Sequence, residues 1–319
     1  MKLSVVIPIF NEADTLPTLC QRLTDVLKDR DFDFEIVFVN DGSADDSSAI
    51  IQQWIKREHR VCLLELSRNF GHQAAITAGL KEATGEAVVV MDGDGQDPVE
   101  FIPEMLAAWK QGAKVVIAER ISRKETLARR ALFCLFYKLF AFLSDPPLQV
   151  NSGVFGLMDR IVVDHLLALP EHNRFIPGLR NWIGFETVRL SYARGERLGG
   201  EPKQSLKRLI KYGSDAVFSF SYKPLHLSLY AGLMISALAF LYGGYLLALR
   251  LLNINVVSGF TTVAVAVFFF SGVILISNGL IGEYLSRVYD EVKRRPLYIP
   301  SRKTSRQAQD PDVTTRECE

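Results

Sequence analysis

Residues 88–98 read VVVMDGDGQDP, which places Asp92, Asp94 and Gln96 at alternate positions between Gly93 and Gly95, with Asp97 following. Carboxylate and amide oxygens at this spacing suit a hard divalent cation such as Mg²⁺ or Mn²⁺, which commonly binds substrate phosphates as well. The two glycines leave the backbone free to bend, so that neighbouring oxygens can converge. A solvated acidic turn is the competing reading of the same residues. A helix–loop–helix calcium loop is a poor fit, because its sixth and twelfth positions call for Gly and Glu and here hold Asp97 and Pro103.

These oxygens need a scaffold, and the flanking sequence supplies one. Residues 87–91 form a short, β-branched apolar run, which predicts a buried strand that ends just before Asp92. Further strands are expected at 3–9, 34–39, 61–66 and 114–118. Helices are expected at 14–28, to about residue 57, at 71–83 and at 99–111, with Asp14 or Thr15 capping the first and Pro17 in its opening turn. Strands alternating with helices of this length imply βαβ units and a mostly parallel α/β sheet. In such sheets ligands bind beyond the carboxyl ends of the strands. The polar clusters PIFNE, NDGS, DGDGQD and ER all fall at expected carboxyl ends, as one shared site requires.

Composition removes several classes. Lys and Arg total 37 against 36 Asp and Glu, a net charge of +1, so no general basic field points to nucleic acid. Cys20, Cys62, Cys134 and Cys318 are far apart, which suggests neither a zinc site nor a disulfide framework and fits a reducing compartment. No GxxxxGK followed by Ser or Thr occurs, and no GxGxxG follows the first strand, so the P-loop and dinucleotide fingerprints are both missing. The opening run is too short and too β-branched for a signal peptide, and the first half is expected to stay in the cytoplasm.

In order and spacing, PIFNE, NDGSADDS, SRNFGHQAAITAGL and DGDGQDP resemble the family-2 inverting glycosyltransferases of the GT-A fold, in particular those that use polyprenyl phosphates. The resemblance implies that Pro8, Phe10 and Glu12 line a nucleoside pocket, with Phe10 standing where the family often has tyrosine. It implies that Asp41 contacts the base or ribose, although an Asx-turn after the second strand would explain that residue equally well. Asp92 and Asp94 would form the DxD motif at the donor, and Asp94 with Gln96 would hold Mg²⁺ or Mn²⁺. Arg120, Arg197 and Lys203 would meet the donor diphosphate or the lipid phosphate, and catalysis would rest on Asp92, Asp94 and Arg120. Residues 150–160 align with a family segment commonly written GDFRLMDR, with Val154 and Gly156 where an acid and an arginine are usual. Asn151 and Asp159 are the candidates to supply the missing contact. In residues 175–185, Pro177 stands where the glutamine of the QxxRW signature of processive synthases would be.

The second half belongs to a membrane. Residues 227–249 and 256–282 contain no charged side chain, and each exceeds the roughly 20 residues that cross a bilayer as a helix. Their short connection predicts a helical hairpin, and the Lys and Arg residues flanking it put both ends in the cytoplasm. Residues 129–143 read as either a buried core helix or an interfacial one, and 204–221 as an amphipathic helix on the membrane surface. The expected organisation is a GT-A domain over 1–202, a juxtamembrane segment over 203–224 and two spans within 225–283. A cytoplasmic tail over 284–319 would follow, unstructured beyond about Ser301.

The reading that results is inverting transfer of a sugar from a nucleotide sugar, a UDP-sugar such as UDP-glucose by resemblance, to undecaprenyl or another polyprenyl phosphate. The partners are then the donor, the lipid acceptor and the bilayer, with no nucleic acid and with a homo-oligomer left open. A processive polysaccharide synthase and a non-catalytic membrane scaffold that keeps the fold are the alternatives.

Overall fold

The computed structural model describes residues 1–28, 32–120, 152–192, 221–252 and 259–305, which fall into two compact units. The first carries an eight-stranded sheet and six helices. The strands are β1 (Lys2–Ile9), β2 (Asp33–Asn40), β3 (Val61–Leu66), β4 (Ala87–Val90), β5 (Val115–Arg120), β6 (Ser152–Asp159), β7 (Thr187–Tyr192) and β8 (Pro300–Ser305). The helices are α1 (Leu16–Leu27), α2 (Ser47–Arg57), α3 (His72–Glu82), α4 (Ile102–Lys110), α5 (Arg160–Ala168) and α6 (Ile176–Trp182), with a 3-10 turn at Val99–Phe101 before α4. This is the mostly parallel α/β architecture that the alternation in the sequence predicts.

The strand order is β7-β5-β6-β4-β1-β2-β3-β8. Strands β4, β1, β2 and β3 run parallel, while β6 lies antiparallel between β4 and β5. Successive β1 residues face opposite sides of the sheet, and this divides the core. Leu3, Val5, Ile7 and Ile9 join Leu16, Leu19, Leu23, Ile51 and Met105 on one face, whereas Val6 joins Ala75, Ile76, Val162 and Ile176 on the other. The register Val6↔Val90 and Ile9↔Asn40 brings the ends of β1, β2 and β4 together at one edge.

The opposite edge is built for stability. Glu35 accepts hydrogen bonds from Ser4 Oγ and Thr84 N, each at 2.6 Å, and pairs with Lys2 Nζ at 2.7 Å. Burial alone would raise its pKa, but the bonds from Lys2, Ser4 and Thr84 outweigh burial and lower it. A carboxyl with a lowered folded pKa gives its full contribution above the unfolded value and loses it as pH falls through the folded one. Glu35→Gln should therefore cost about 1–3 kcal/mol near neutral pH, and the gap should close on acidification. Thermal melts of both proteins across that range read the difference, and a constant gap at all pH values would contradict the assignment.

One expectation is corrected here. The tail beyond Ser301 does not begin unstructured: β8 pairs antiparallel with β3 as far as Cys62↔Ser305, and Ser67 N–H donates to the Ile299 carbonyl at 2.9 Å. Without β8 the outer side of β3 would be a bare edge of unpaired backbone groups. Backbone pairing, rather than an apolar pattern in SRKTS, holds this strand in place.

The second unit contains α7 (Lys223–Leu251) and α8 (Phe260–Lys293), both long and apolar enough to cross a membrane. Their large side chains point outward, with Phe240 82 % and Phe268 79 % exposed. In water each such side chain would forgo about 1.5–3 kcal/mol of burial, a cost a lipid environment removes. The helices touch through Ser228 Oγ and Ser277 Oγ at 3.1 Å. Helix α8 continues past the apolar stretch, with Arg287 and Glu283 paired at 3.4 Å. Segments 129–143 and 204–220, together with most of the hairpin connection, lie outside the described residues.

Candidate active site

Four loops converge where β1, β2 and β4 end, and each is fixed by side-chain bonds to its neighbours. After β1 the chain turns at Asn11, which adopts φ 54° and is held there as its Oδ1 accepts from Ala44 N at 2.8 Å and its own N–H donates to Ser43 Oγ at 3.0 Å. Glu12 N–H donates to Ser47 Oγ at 3.1 Å. The PIFNE and NDGS clusters are thereby interlocked, leaving Phe10 46 % exposed and Pro8 buried within β1.

Asp41 follows β2 and is 3 % exposed. Its two oxygens accept from Phe70 N at 2.7 Å and Gly71 N at 2.9 Å, so it braces the loop that leads from β3 into α3. Burial raises its pKa, against the pull of those two N–H groups and of nearby His72 and Arg68. The sequence suggests a local turn or a direct contact with the nucleoside; in the structure the carboxylate reaches about thirty residues ahead to shape the loop, as the separations of 29 and 30 indicate.

The acidic loop is built in alternation, with Gly93, Gly95 and Asp97 buried and Asp92, Asp94 and Gln96 partly open. Gly93 packs so tightly that a Cβ would stand 2.4 Å from Ile9 Cδ1 and 3.0 Å from the Pro8 carbonyl oxygen. Gly95 has φ 70°, a conformation that a side chain would strain. Asp94 Oδ1 accepts from Gln96 N at 3.0 Å in a local turn, and Thr15 Oγ1 donates to the Gly93 carbonyl at 3.0 Å. Asp97, 5 % exposed, accepts from Asp92 N at 3.0 Å and from the Tyr192 hydroxyl at 3.4 Å. It holds the loop from beneath.

Two members of the site escaped the sequence reading, Asp97 as this brace and His72. His72 starts α3, and its Nε2 lies 3.3 Å from Asp92 Oδ1. Desolvation lowers the pKa of the ring, while Asp41, Asp94 and Asp97 pull it upward. The signal available for His72 was its place directly after NFG, at the opening of a helix that begins beside the acidic loop.

Of the residues expected to form a site, the fold gathers Phe10, Glu12, Asp41, Asp92, Asp94 and Gln96 at one edge. Arg120 ends β5, opposite Tyr192 in the register, and Glu119 beside it is paired with Arg189 at 3.1 Å. Arg197, Lys203 and Asn151 lie outside the described residues. Asp159 is a correction. It pairs with Ala87 at the start of β4, the far edge of the sheet, because β6 runs antiparallel. There it caps α5 through Ile161 N and accepts from Trp109 Nε1 and Lys114 Nζ, each at 2.9 Å, so it is a structural carboxylate and not a substitute at the site.

Among the described residues, no three His, Cys, Asp or Glu side chains form a cluster able to hold a metal ion unaided. The donor set nonetheless fits Mg²⁺ or Mn²⁺ that arrives with a diphosphate, since Mg²⁺ usually takes one or two carboxylates together with substrate phosphates and water. Asp92 and Asp94 are the two partly open carboxylates, with the amide of Gln96 next to them.

The chain is similar to several known proteins. The sequence pattern described as Glycosyl transferase family 2 matches residues 4–167. The chain is 43 % identical over 297 residues to an uncharacterized glycosyltransferase, YkcC, of Bacillus subtilis, covering 93 % of this chain and 92 % of that one. It is 37 % identical over 303 residues to the prophage bactoprenol glucosyl transferase homolog of Escherichia coli, covering 95 % and 99 %. It is 38 % identical over 300 residues to the bactoprenol glucosyl transferase of Shigella phage SfII, covering 94 % and 97 %. Among solved structures, the glucosyl-3-phosphoglycerate synthase of Mycobacterium tuberculosis in complex with Mn²⁺, UDP and phosphoglyceric acid is similar at 19 % identity, over 68 % of this chain and 76 % of that one, with a TM-score of 0.49.

Proposed function

Because the chain belongs to glycosyl transferase family 2, we propose that it transfers a sugar, with inversion, from a nucleotide sugar to a polyprenyl phosphate at the cytoplasmic face of a membrane. The observation that carries this reading is the pairing of two features in one chain: an acidic loop at the carboxyl ends of a parallel sheet, and two helices able to cross a bilayer. Relatives named for bactoprenol glucosyl transfer, alike over nearly the whole length, support the acceptor class and make glucose carried on UDP the first donor to try.

In this reading Phe10 and Glu12 face the nucleoside, and Asp41 acts on it through the loop it braces. Asp92 and Asp94, kept in place by Asp97 and Thr15, face the diphosphate, with Gln96 beside them. A bound Mg²⁺ or Mn²⁺, held by Asp94, Gln96 and the diphosphate, would offset the charge that develops on the leaving group. Arg120, Arg197 and Lys203 are assigned to the lipid phosphate or the diphosphate. The acceptor is already an anion, so no side chain need remove a proton from it. What the protein supplies is alignment of the phosphate oxygen with the anomeric carbon, and a single in-line displacement inverts that centre. The approach of two anions makes electrostatic preorganisation the largest demand on the site.

The deciding experiment incubates membranes containing the full chain with undecaprenyl phosphate and a panel of radiolabelled nucleotide sugars. One sugar attached to the lipid through an acid-labile phosphodiester is the expected product. A polymer would favour a processive synthase instead, and no product with any donor would favour a scaffold.

A further inference from the structure

Arg180 is 2 % exposed. It lies near the end of α6, and its Nη2 donates to the Gly153 carbonyl at 3.1 Å. Gly153 is in the opening of β6, which is antiparallel to β4 and β5, so this part of the strand lies at the edge where those two end and the acidic loop begins. The other arm of the guanidinium rests against Gly156: a Cβ there would stand 3.0 Å from Nη1 and 2.5 Å from the Val116 carbonyl oxygen. Gly156 pairs with Val90, two residues ahead of Asp92. The other end of α6 is also tied to the site, as Ile176 N–H donates to Gln73 Oε1 at 2.9 Å and Gln73 follows His72, the residue against Asp92.

We propose that Arg180 is a positioning residue for sugar transfer: seated in the space that the bare Cα of Gly156 leaves, it fixes the opening of β6 beside the acidic loop. The proposal rests on the transfer reading above. Arg180 is too enclosed to touch a substrate, so its effect passes through β6. A guanidinium suits the task because its planar fork holds several donors in fixed directions, and one arm can bond the strand while the other packs beside the glycine. The rigidity has a use, since displacement of reacting groups by about 1 Å costs roughly 100-fold in an aligned reaction. The helix carrying Arg180 is bonded at its start to the helix that begins at His72, so α6 spans from the donor side of the site to β6. Gly156 and Arg180 thus form a closely packed pair, because a Cβ at 156 would crowd both the Val116 carbonyl of β5 and the guanidinium.

The test uses the full chain in membranes, with Arg180→Met and Arg180→Lys measured for melting temperature, for KM toward the nucleotide sugar and for kcat of transfer to polyprenyl phosphate. Arg180→Met is expected to keep the donor KM within about two-fold while kcat falls about 10- to 100-fold, and Arg180→Lys to recover part of kcat. A wild-type kcat in Arg180→Met overturns the proposal. So does a loss of kcat that only parallels a lower melting temperature and a weaker donor KM, with lysine no better than methionine, because that marks a purely structural arginine. If Arg180→Met does not fold, Arg180→Lys decides: reduced kcat at an unchanged donor KM supports the role, and full kcat refutes it. A wild-type chain that transfers no sugar to any lipid phosphate refutes the transfer reading itself, and the proposal with it.

Discussion

Asp94→Ala should lower sugar transfer by about 100- to 1000-fold, the usual effect of removing one preorganised electrostatic partner from a polar transition state, and should barely change the melting temperature. The contrast follows from how the carboxylate is held. Among the described residues its one hydrogen bond is the local turn from Gln96 N at 3.0 Å, in a partly open loop, so the fold loses little without it. The structural support of the loop comes instead from Asp97 beneath Asp92 and from Thr15 at Gly93. Removal of divalent ions with EDTA should reproduce the defect in the wild type, and Mg²⁺ or Mn²⁺ should restore it. The same additions should leave Asp94→Ala inactive. The measurement is initial-rate formation of lipid-linked sugar, with thermal unfolding in parallel. Transfer by Asp94→Ala within a few-fold of wild type would remove this residue from the metal and donor roles given to it.

The second large effect concerns stability and lies far from the acidic loop in sequence. A chain ending after Tyr298 should melt about 10 °C below one ending after Ser305. The longer chain keeps β8, whose register with β3 includes five residue pairs, as well as the burial of Thr304 and the ion pair between Lys303 and Glu82 on α3. At a net gain near 1 kcal/mol for each backbone hydrogen bond, the strand contributes about 3–5 kcal/mol. For a domain of this size each kcal/mol shifts the midpoint by about 2–4 °C. Loss of β8 also bares the edge of β3, so the shorter chain should aggregate on heating. Donor binding should weaken as well, because β3 feeds directly into the loop that Asp41 braces. Equal melting temperatures for the two truncations would show that the strand adds nothing.

The contrast between these two regions explains what could be read from sequence. Strands β1–β5 and helices α1–α4 were legible to within a few residues, because each apolar run gives way to a polar cluster at its carboxyl end and the strands are largely buried on both faces. The placement of the acidic loop followed from that pattern alone. β6 was not legible as an inserted antiparallel strand, since nothing in VFGLMD states which neighbours it will have. That gap produced the error over Asp159. Being near Val154 and Gly156 in sequence suggested the site, but the eight residues of β6 carry the chain about 23 Å at 3.3 Å per residue, to the other edge of the sheet. β8 was invisible for a different reason. Its stabilisation comes mostly from backbone groups, which leave no mark in side-chain periodicity. Asp97 and His72 were in plain view as residues, but their roles depend on distances across loops, which spacing along the chain does not encode.

The closure of the sheet by β8 also settles a question of parity. Strands on either side of the two long apolar helices in the sequence are hydrogen-bonded into one sheet, and a sheet cannot continue through a bilayer. If the two helices span a bilayer, as proposed above, the chain crosses it an even number of times between β7 and β8, whatever the charges flanking each span would favour. Two helices meet that condition, and one would not. In that reading both ends of the hairpin lie on the side of the membrane that holds the sheet, because the chain leaves that sheet and returns to it. Deletion of either span would maroon the last strand across the bilayer from its partner.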